Sequence, residues 1–284
     1  MQRVKSSDIN ALLALDAESI AAREKNLSKD TDEVLSKRIQ DKFTVLDSMT
    51  LAVCRGDVRG MIVSGPPGVG KSFGVERQLD KHDLFNKMTS LKPRFEVVKG
   101  SISALGLYAK LYEYSRPGNV VVFDDCDIIF SDEDSLNILK SALDSGEKRY
   151  INWNKDSRML RQDGIPNRYE FRGSGIFITN LQFEHVRSKR LKDHLAALES
   201  RCHIINLGMS TVREKILRIR QVVDEGMLDE KLEPEAKDEV VRFVSQNAHM
   251  MRELSLRMVL KVSDLRKAFP HSWMEMASET CMKK

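Results

Sequence analysis

Hydrophobic positions recur with two different periods along this chain, and the change between them divides it. Residues 8–25 place Ile9, Leu12, Leu13, Ile20 and Ala21 on one side of a helix. Asp30 or Thr31 caps a second helix running to about Arg55, with Leu35, Ile39, Phe43 and Leu46 on one face and Gly56 as its stop. After that, short β-branched runs alternate with helical segments. Met61–Val63 precedes a helix from Lys71, and Phe95–Val98 precedes one carrying Leu105, Leu107, Tyr108 and Leu111. Val120–Phe123 precedes a helix from Glu133 to Leu143, Ile176–Thr179 precedes one with Leu191, Leu195 and Leu198, and His203–Leu207 closes the series. Strands joined through helices predict an α/β fold, a five-stranded parallel sheet with helices on both faces. From Thr211 onward the strand period is gone. Helical periodicity over 211–225, 235–247 and 251–268, with a short piece near 272–279, predicts a small helical domain. The expected division is a helical extension over 1–45, an α/β core over 46–208 and a helical domain over 209–284.

Composition adds limits. The 284 residues are 41% hydrophobic and 31% charged, enough apolar material for a sizeable core. The 46 Lys and Arg exceed the 42 Asp and Glu by so little, a net +4, that a wholly basic nucleic-acid binder is excluded, though a local basic stripe is not. The longest apolar run, Ala11–Leu15, is far shorter than the ~20 residues that span a bilayer. The first ten residues are charged and polar, unlike a signal peptide. The expected location is therefore the cytoplasm, with no membrane partner. Cys54, Cys126, Cys202 and Cys281 are widely spaced and form no CxxC pair, so they read as reduced structural thiols and not as a zinc site.

Two segments carry chemistry. Gly65-Pro66-Pro67-Gly68-Val69-Gly70-Lys71-Ser72 matches G-x-x-x-x-G-K-[ST] between a predicted strand and a predicted helix. Glycines let backbone N–H groups close around phosphate oxygens, and the helix directs its positive end at the same anion. Lys71 is placed for the β- and γ-phosphates of ATP and Ser72 for Mg2+. The second segment is Val120-Val121-Val122-Phe123-Asp124-Asp125, an apolar strand delivering two carboxylates. Asp124 is placed for the metal and Asp125 for orienting or deprotonating the attacking water. Asp125 is one methylene shorter than the Glu usual at this position, which predicts slow turnover unless the backbone or oligomerisation compensates. Asp127 is a further acidic candidate, expected to face solvent.

Three more elements follow in order: Ile176-Phe177-Ile178-Thr179-Asn180, Ser200-Arg201-Cys202, and Leu254-Ser255-Leu256-Arg257. Together with the two segments above, over roughly Leu46 to Val262, the chain resembles AAA+ ATPases. Its overall wording is similar to AAA-family ATPases of tailed bacteriophages, and Ser200-Arg201-Cys202 resembles the arginine-finger box of clamp loaders. The resemblance implies a P-loop NTPase fold whose C-terminal helices form a lid, and a host cytoplasm if the chain is phage-encoded. It implies that Asn180 senses the γ-phosphate or the lytic water. It implies that Arg201 reaches the nucleotide of a neighbouring subunit, and that Arg257 reads the γ-phosphate from the lid, with Arg252 as the alternative. An arginine acting in trans requires a homo-oligomer, a ring with a hexamer among its possible sizes.

What such an assembly acts on is open between DNA, or a DNA-bound complex, and a protein partner. After the second strand comes Val98-Lys99-Gly100-Ser101-Ile102-Ser103, with a lysine suited to a phosphate backbone and no aromatic residue. The segment 148–172 interleaves Lys148, Arg149, Lys155, Arg158, Arg161, Arg168 and Arg172 with Tyr150, Trp153, Tyr169 and Phe171. That mixture suits phosphate contact with base stacking, or else a packed hairpin with a solvated charged face. Arg187–Lys192 is a second basic run, readable also as an ordinary helix start. Phe43 and Leu46 fall where relatives approach the adenine. A small-molecule kinase is disfavoured because it has no place for the sensor-like and finger-like elements.

Overall fold

The computed structural model describes residues 30–181 and 189–283. The helix expected over 8–25 lies outside the described residues, as do Arg187 and Ser188 of the basic run. The chain divides into two compact units. One is Lys42–Gly208; the other joins the chain up to Asp41 with the chain from Met209.

The first helix, α1 (Asp32–Arg55), contributes to both units. In the Lys42–Gly208 unit it is followed by β1 (Gly60–Ser64), α2 (Lys71–His82), α3 (Leu84–Met88), β2 (Phe95–Lys99), α4 (Ala104–Glu113) and β3 (Val120–Asp124). A 3-10 turn (Asp127–Phe130) leads to α5 (Glu133–Ala142), β4 (Tyr150–Asn152), α6 (Arg158–Gln162), β5 (Arg168–Glu170), β6 (Ser174–Thr179), α7 (Lys189–Glu199) and β7 (His203–Asn206). Five of these strands form one sheet in the order β2-β3-β6-β1-β7, and every neighbouring pair is parallel. This is the expected α/β fold, a five-stranded parallel sheet with helices, and a helical region lies C-terminal to it.

The apolar runs form strands because both faces are covered. Met61, Ile62, Val63, Val120, Val121, Val122, Ile176 and Ile178 are all buried, and the rings of Phe123 and Phe177 stack at 5.5 Å. Side chains cap the N-termini of two intervening helices: Ser103 accepts from the Gly106 N–H and Asp132 from the Ser135 N–H. Because the strands are parallel, their carboxyl ends lie at one edge. Pairing sets Ser64 beside Thr179 and Lys99 beside Asp124 there, which is where ligands of open α/β sheets bind.

Segment 146–175 contains a small antiparallel hairpin of β4 and β5. Tyr169 and Phe171 are buried, and Trp153 packs on the same core. Arg149 is buried too, stacked over Phe171 and bonded to the carbonyls of Ala142 and Gly173. Tyr150 is partly exposed but faces the Arg168 guanidinium at 4.3 Å. Of the two readings that the sequence left open, the packing of Tyr169, Phe171 and Trp153 matches the packed hairpin with a solvated charged face. Lys148, Lys155, Arg158, Arg161, Arg168 and Arg172 stay on the surface. Phe43 and Leu46 are both buried, and Leu46 lies against Gly74 of α2.

In the second unit, α8 (Val212–Asp224) opens with a reciprocal capping box between Thr211 and Glu214. It is followed by α9 (Pro234–Gln246), α10 (Leu256–Ala268) and α11 (Trp273–Cys281). Trp273 packs edge-on to Phe243 at 5.1 Å inside an apolar cluster that includes Val240, Val259 and Val262. The helix expected from residue 251 begins at Leu256, because Ser255 caps it and Met251 pairs instead with Met282. Among the described residues, no helix is long and apolar enough to cross a membrane.

Candidate nucleotide site

The loop between β1 and α2 wraps around the ammonium of Lys71. Lys71 Nζ donates to the carbonyl oxygens of Gly65 at 2.7 Å and Pro66 at 2.9 Å, and to Asn180 Oδ1 at 2.7 Å. Gly65, Gly68 and Gly70 have φ of 152°, 69° and 100°, conformations that side chains disfavour. At Gly65 the requirement is also one of space, since a Cβ would meet the Leu207 carbonyl carbon at 3.1 Å. Val69 is buried, and the Ser72 hydroxyl donates to Asp124 Oδ1 at 2.9 Å. The loop thus presents an ammonium, a hydroxyl and a helix N-terminus to one place. These groups fit an anionic phosphate chain with a hard cation held by oxygen ligands.

Asp124 ends β3, almost fully buried. Burial raises its pKa, the Ser72 hydroxyl opposes that, and the Asp125 carboxylate adds to it. Lys99, across the strand pair, lies 2.8 Å from Glu76 Oε1 and 3.7 Å from Asp124 Oδ2. Its own pKa is raised, chiefly by Glu76. Lys99 is therefore already ion-paired beside Asp124, a link that spacing alone did not reveal.

Asp125 is exposed and has φ of 54°, left-handed backbone that Asp tolerates better than most residues. Its Oδ1 accepts from Asn180 Nδ2 at 2.9 Å. The two ends of one amide therefore connect the Lys71 ammonium to the Asp125 carboxylate. This chemistry fixes the amide orientation, because only the oxygen can accept from an ammonium. The left-handed turn ends the extended backbone of β3 at this residue. It also redirects the chain beyond it. Asp127 is half-buried and accepts from Thr179 Oγ1 at 2.6 Å, which corrects the expectation that it faces solvent. Burial raises its pKa, and the Thr179 bond opposes this. Cys126, between them, is buried, with its thiol pushed up to about 11.

The remaining arginines are placed differently. Arg201 follows α7 and is half-buried, with one guanidinium nitrogen on the Ala197 carbonyl at 2.7 Å. Its Nε is buried and has no hydrogen-bond partner. Arg257 is exposed in the first turn of α10. Arg252 Nε donates to the Met282 carbonyl at 2.9 Å, tying down the C-terminal segment. The structure thus brings Gly65–Ser72, Asp124, Asp125 and Asn180 together within the Lys42–Gly208 unit. Arg257 and Arg252 belong to the other unit.

No protein-family profile matches the chain. The uncharacterized 36.7 kDa protein of the nrdC-mobD intergenic region of Enterobacteria phage T4 is 32% identical over 254 residues, which is 88% of this chain and 76% of that one. Among solved structures, the replication initiator DnaA bound to AMPPCP and single-stranded DNA superposes with a TM-score of 0.45 at 13% identity, over 83% of this chain and 63% of its own. NtrX from Brucella abortus in complex with ATP gives 0.46 at 10% identity, over 100% and 63%. The Aeropyrum pernix ORC2 protein in its ADP form gives 0.45 at 14% identity, over 84% and 67%. The chain thus spans less than two thirds of the first two structures.

Proposed function

We infer that this chain, which belongs to the family of the 36.7 kDa phage T4 protein, binds ATP and hydrolyses it to ADP and phosphate. The observation that carries this reading is the single constellation formed by the phosphate loop, Asp124, Asp125 and Asn180. Lys71 and Asn180 meet at 2.7 Å, and Ser72 and Asp124 at 2.9 Å, from segments far apart in sequence. The Gly65–Ser72 backbone and Lys71 hold the phosphates. Ser72 and Asp124 hold Mg2+, which neutralises phosphate charge when bound. Asp125 accepts the proton of the attacking water, and Asn180 keeps that carboxylate and the γ-phosphate-binding lysine in register. The test is phosphate release from ATP by the wild type, with nucleotide binding measured in parallel.

The finer assignments are part of the same reading. Residues 46–208 act as the ATPase core and 209–284 as the lid, while 1–45 form an N-terminal helical extension. Arg201 serves the nucleotide of a neighbouring subunit in a ring, in the manner of the clamp-loader box. Its buried, unpartnered Nε supports this, because an unmade bond of that kind favours release to a new acceptor. Arg257 serves as the lid arginine, and its freedom at a helix start supports it over Arg252, whose Nε is engaged by Met282. The assembly acts on DNA through phosphate contacts from the exposed cations of 148–172. The alternative, a protein partner, is favoured by one observation: Leu84, Phe85, Met88 and Leu91 form an exposed apolar group around α3. ATPase rates measured with DNA at two salt concentrations separate the two, since phosphate contacts weaken as salt rises.

A further inference from the structure

Thr179 and Asp127 lie just beyond the groups that touch nucleotide in this reading, and their geometry is unusually closed. The Thr179 side chain is fully buried at the end of β6. Its hydroxyl donates to Asp127 Oδ1 at 2.6 Å and accepts from the Leu181 N–H at 2.9 Å. One hydroxyl therefore spans Asn180, joining the residue after it to the acidic turn that follows β3. Two further bonds join the same pair of strand ends. The Asp125 N–H donates to the Ile178 carbonyl at 3.0 Å, and Asn180 Nδ2 donates to Asp125 Oδ1 at 2.9 Å. The left-handed conformation of Asp125, with φ of 54°, turns the chain so that Asp127 returns beneath Thr179.

We propose that Asp127 and Thr179 are positioning residues for ATP hydrolysis: their bond holds the 179–181 turn so that Asn180 keeps its amide between Lys71 and Asp125. This rests on the ATPase reading above. Asn180 is exposed and follows the last residue of β6, so no ladder bond fixes its backbone. Its place is set by the bonds of its neighbours. Without the Thr179 hydroxyl, the Leu181 N–H loses its acceptor and Asp127 loses the donor that offsets its burial. Both then seek other partners and the turn shifts. A displacement of about 1 Å at a reacting group costs about 10²-fold in rate. Binding of the phosphates depends on the loop and Lys71, which also holds the Gly65 and Pro66 carbonyls, and so suffers far less.

The experiment compares Thr179→Val, Thr179→Ser, Asp127→Ala and Asp127→Asn with the wild type. Two quantities are read: the single-turnover rate of ATP cleavage and the dissociation constant of a fluorescent, non-hydrolysable ATP analogue. Thr179→Val and Asp127→Ala are expected to lose about 10–100-fold in rate with the dissociation constant changed less than about threefold. Thr179→Ser and Asp127→Asn keep a hydroxyl and an acceptor oxygen and are expected to stay within about threefold of wild type in both. The double variant Thr179→Val/Asp127→Ala should be no slower than Thr179→Val alone, because Thr179→Val already removes the bond that Asp127→Ala removes. Wild-type rates in both Thr179→Val and Asp127→Ala would overturn the proposal. So would parallel loss of rate and analogue binding, or additive losses in the double variant. Should Thr179→Val not fold, the two Asp127 variants decide alone. A wild type that binds the analogue but cleaves no ATP removes the underlying ATPase reading, an outcome distinct from all of these.

Discussion

Replacing Asp125 by Asn tests the chemistry with little disturbance to structure. Asn accepts the left-handed conformation that Asp125 adopts at φ of 54°. Its carbonyl oxygen can still accept from Asn180 Nδ2, which now approaches Asp125 Oδ1 at 2.9 Å. The residue is exposed, so no buried charge or cavity is created. Stability should therefore change by no more than about 0.5 kcal/mol. What the variant removes is the basicity that the proposed role of Asp125 requires. A positioned general base contributes about 10²–10⁴-fold, equivalent to about 3–5.5 kcal/mol of the barrier. The assay is a single-turnover time course with radiolabelled ATP, alongside analogue binding and a thermal melt. The expected result is cleavage slowed by that factor with binding and melting unchanged. Asp125→Glu adds about 1.5 Å of reach to a carboxylate already matched to Asn180, at a backbone position that Glu tolerates poorly, and is expected to be slower than wild type. Cleavage by Asp125→Asn within about threefold of wild type would refute the assignment of Asp125 as base.

Three other outcomes follow from particular contacts. Asp124 and Asp127 have raised pKa values in the fold because of burial, so the native state binds protons more readily than the unfolded chain. Without nucleotide or metal, their contribution to stability therefore falls as pH rises from the ordinary carboxylate range through the raised values. Melts across that window should show wild type losing ground steadily to Asp124→Asn/Asp127→Asn, and a constant gap would contradict this. Gly173→Ala sets a Cβ 2.2 Å from the Tyr114 carbonyl oxygen and 3.1 Å from that of Asn119. Both are backbone atoms, so the melting temperature should drop by roughly 5–10 °C, and a change under about 2 °C would be inconsistent. Arg201→Ala should keep nucleotide binding but lose the rate increase that accompanies assembly, about 10³-fold or more for an arginine supplied in trans. Full activity in a strictly monomeric protein would rule that role out.

The phosphate loop was legible because its chemistry is written in consecutive residues. The sheet was legible because Val120–Phe123 and Ile176–Ile178 are apolar on both faces and end at polar residues, the signature of a buried parallel strand. The pairing of those ends brings Asn180 to Lys71 and Ser72 to Asp124, as the order of motifs implied. Asp127 was not legible: its return to Thr179 depends on one positive φ at Asp125, which no periodicity encodes. The hairpin was undecided in sequence for a related reason. Tyr169, Phe171 and Arg149 read either as a binding face or as a packed hairpin; an antiparallel pair packed on a core buries one side of each strand, and which side is a tertiary matter. Leu84, Phe85 and Met88 err in the opposite direction, as apolar residues that packing leaves exposed.

The central claim is that Lys71 and the loop around it bind ATP for hydrolysis. The most direct measurement is phosphate release from ATP by wild type and Lys71→Ala with Mg2+ present, over a range of protein concentrations, with analogue binding measured on the same samples. The account predicts turnover by wild type, together with weakened analogue binding and loss of turnover in Lys71→Ala. Equal phosphate release by the two proteins, or no nucleotide binding by wild type, would contradict it.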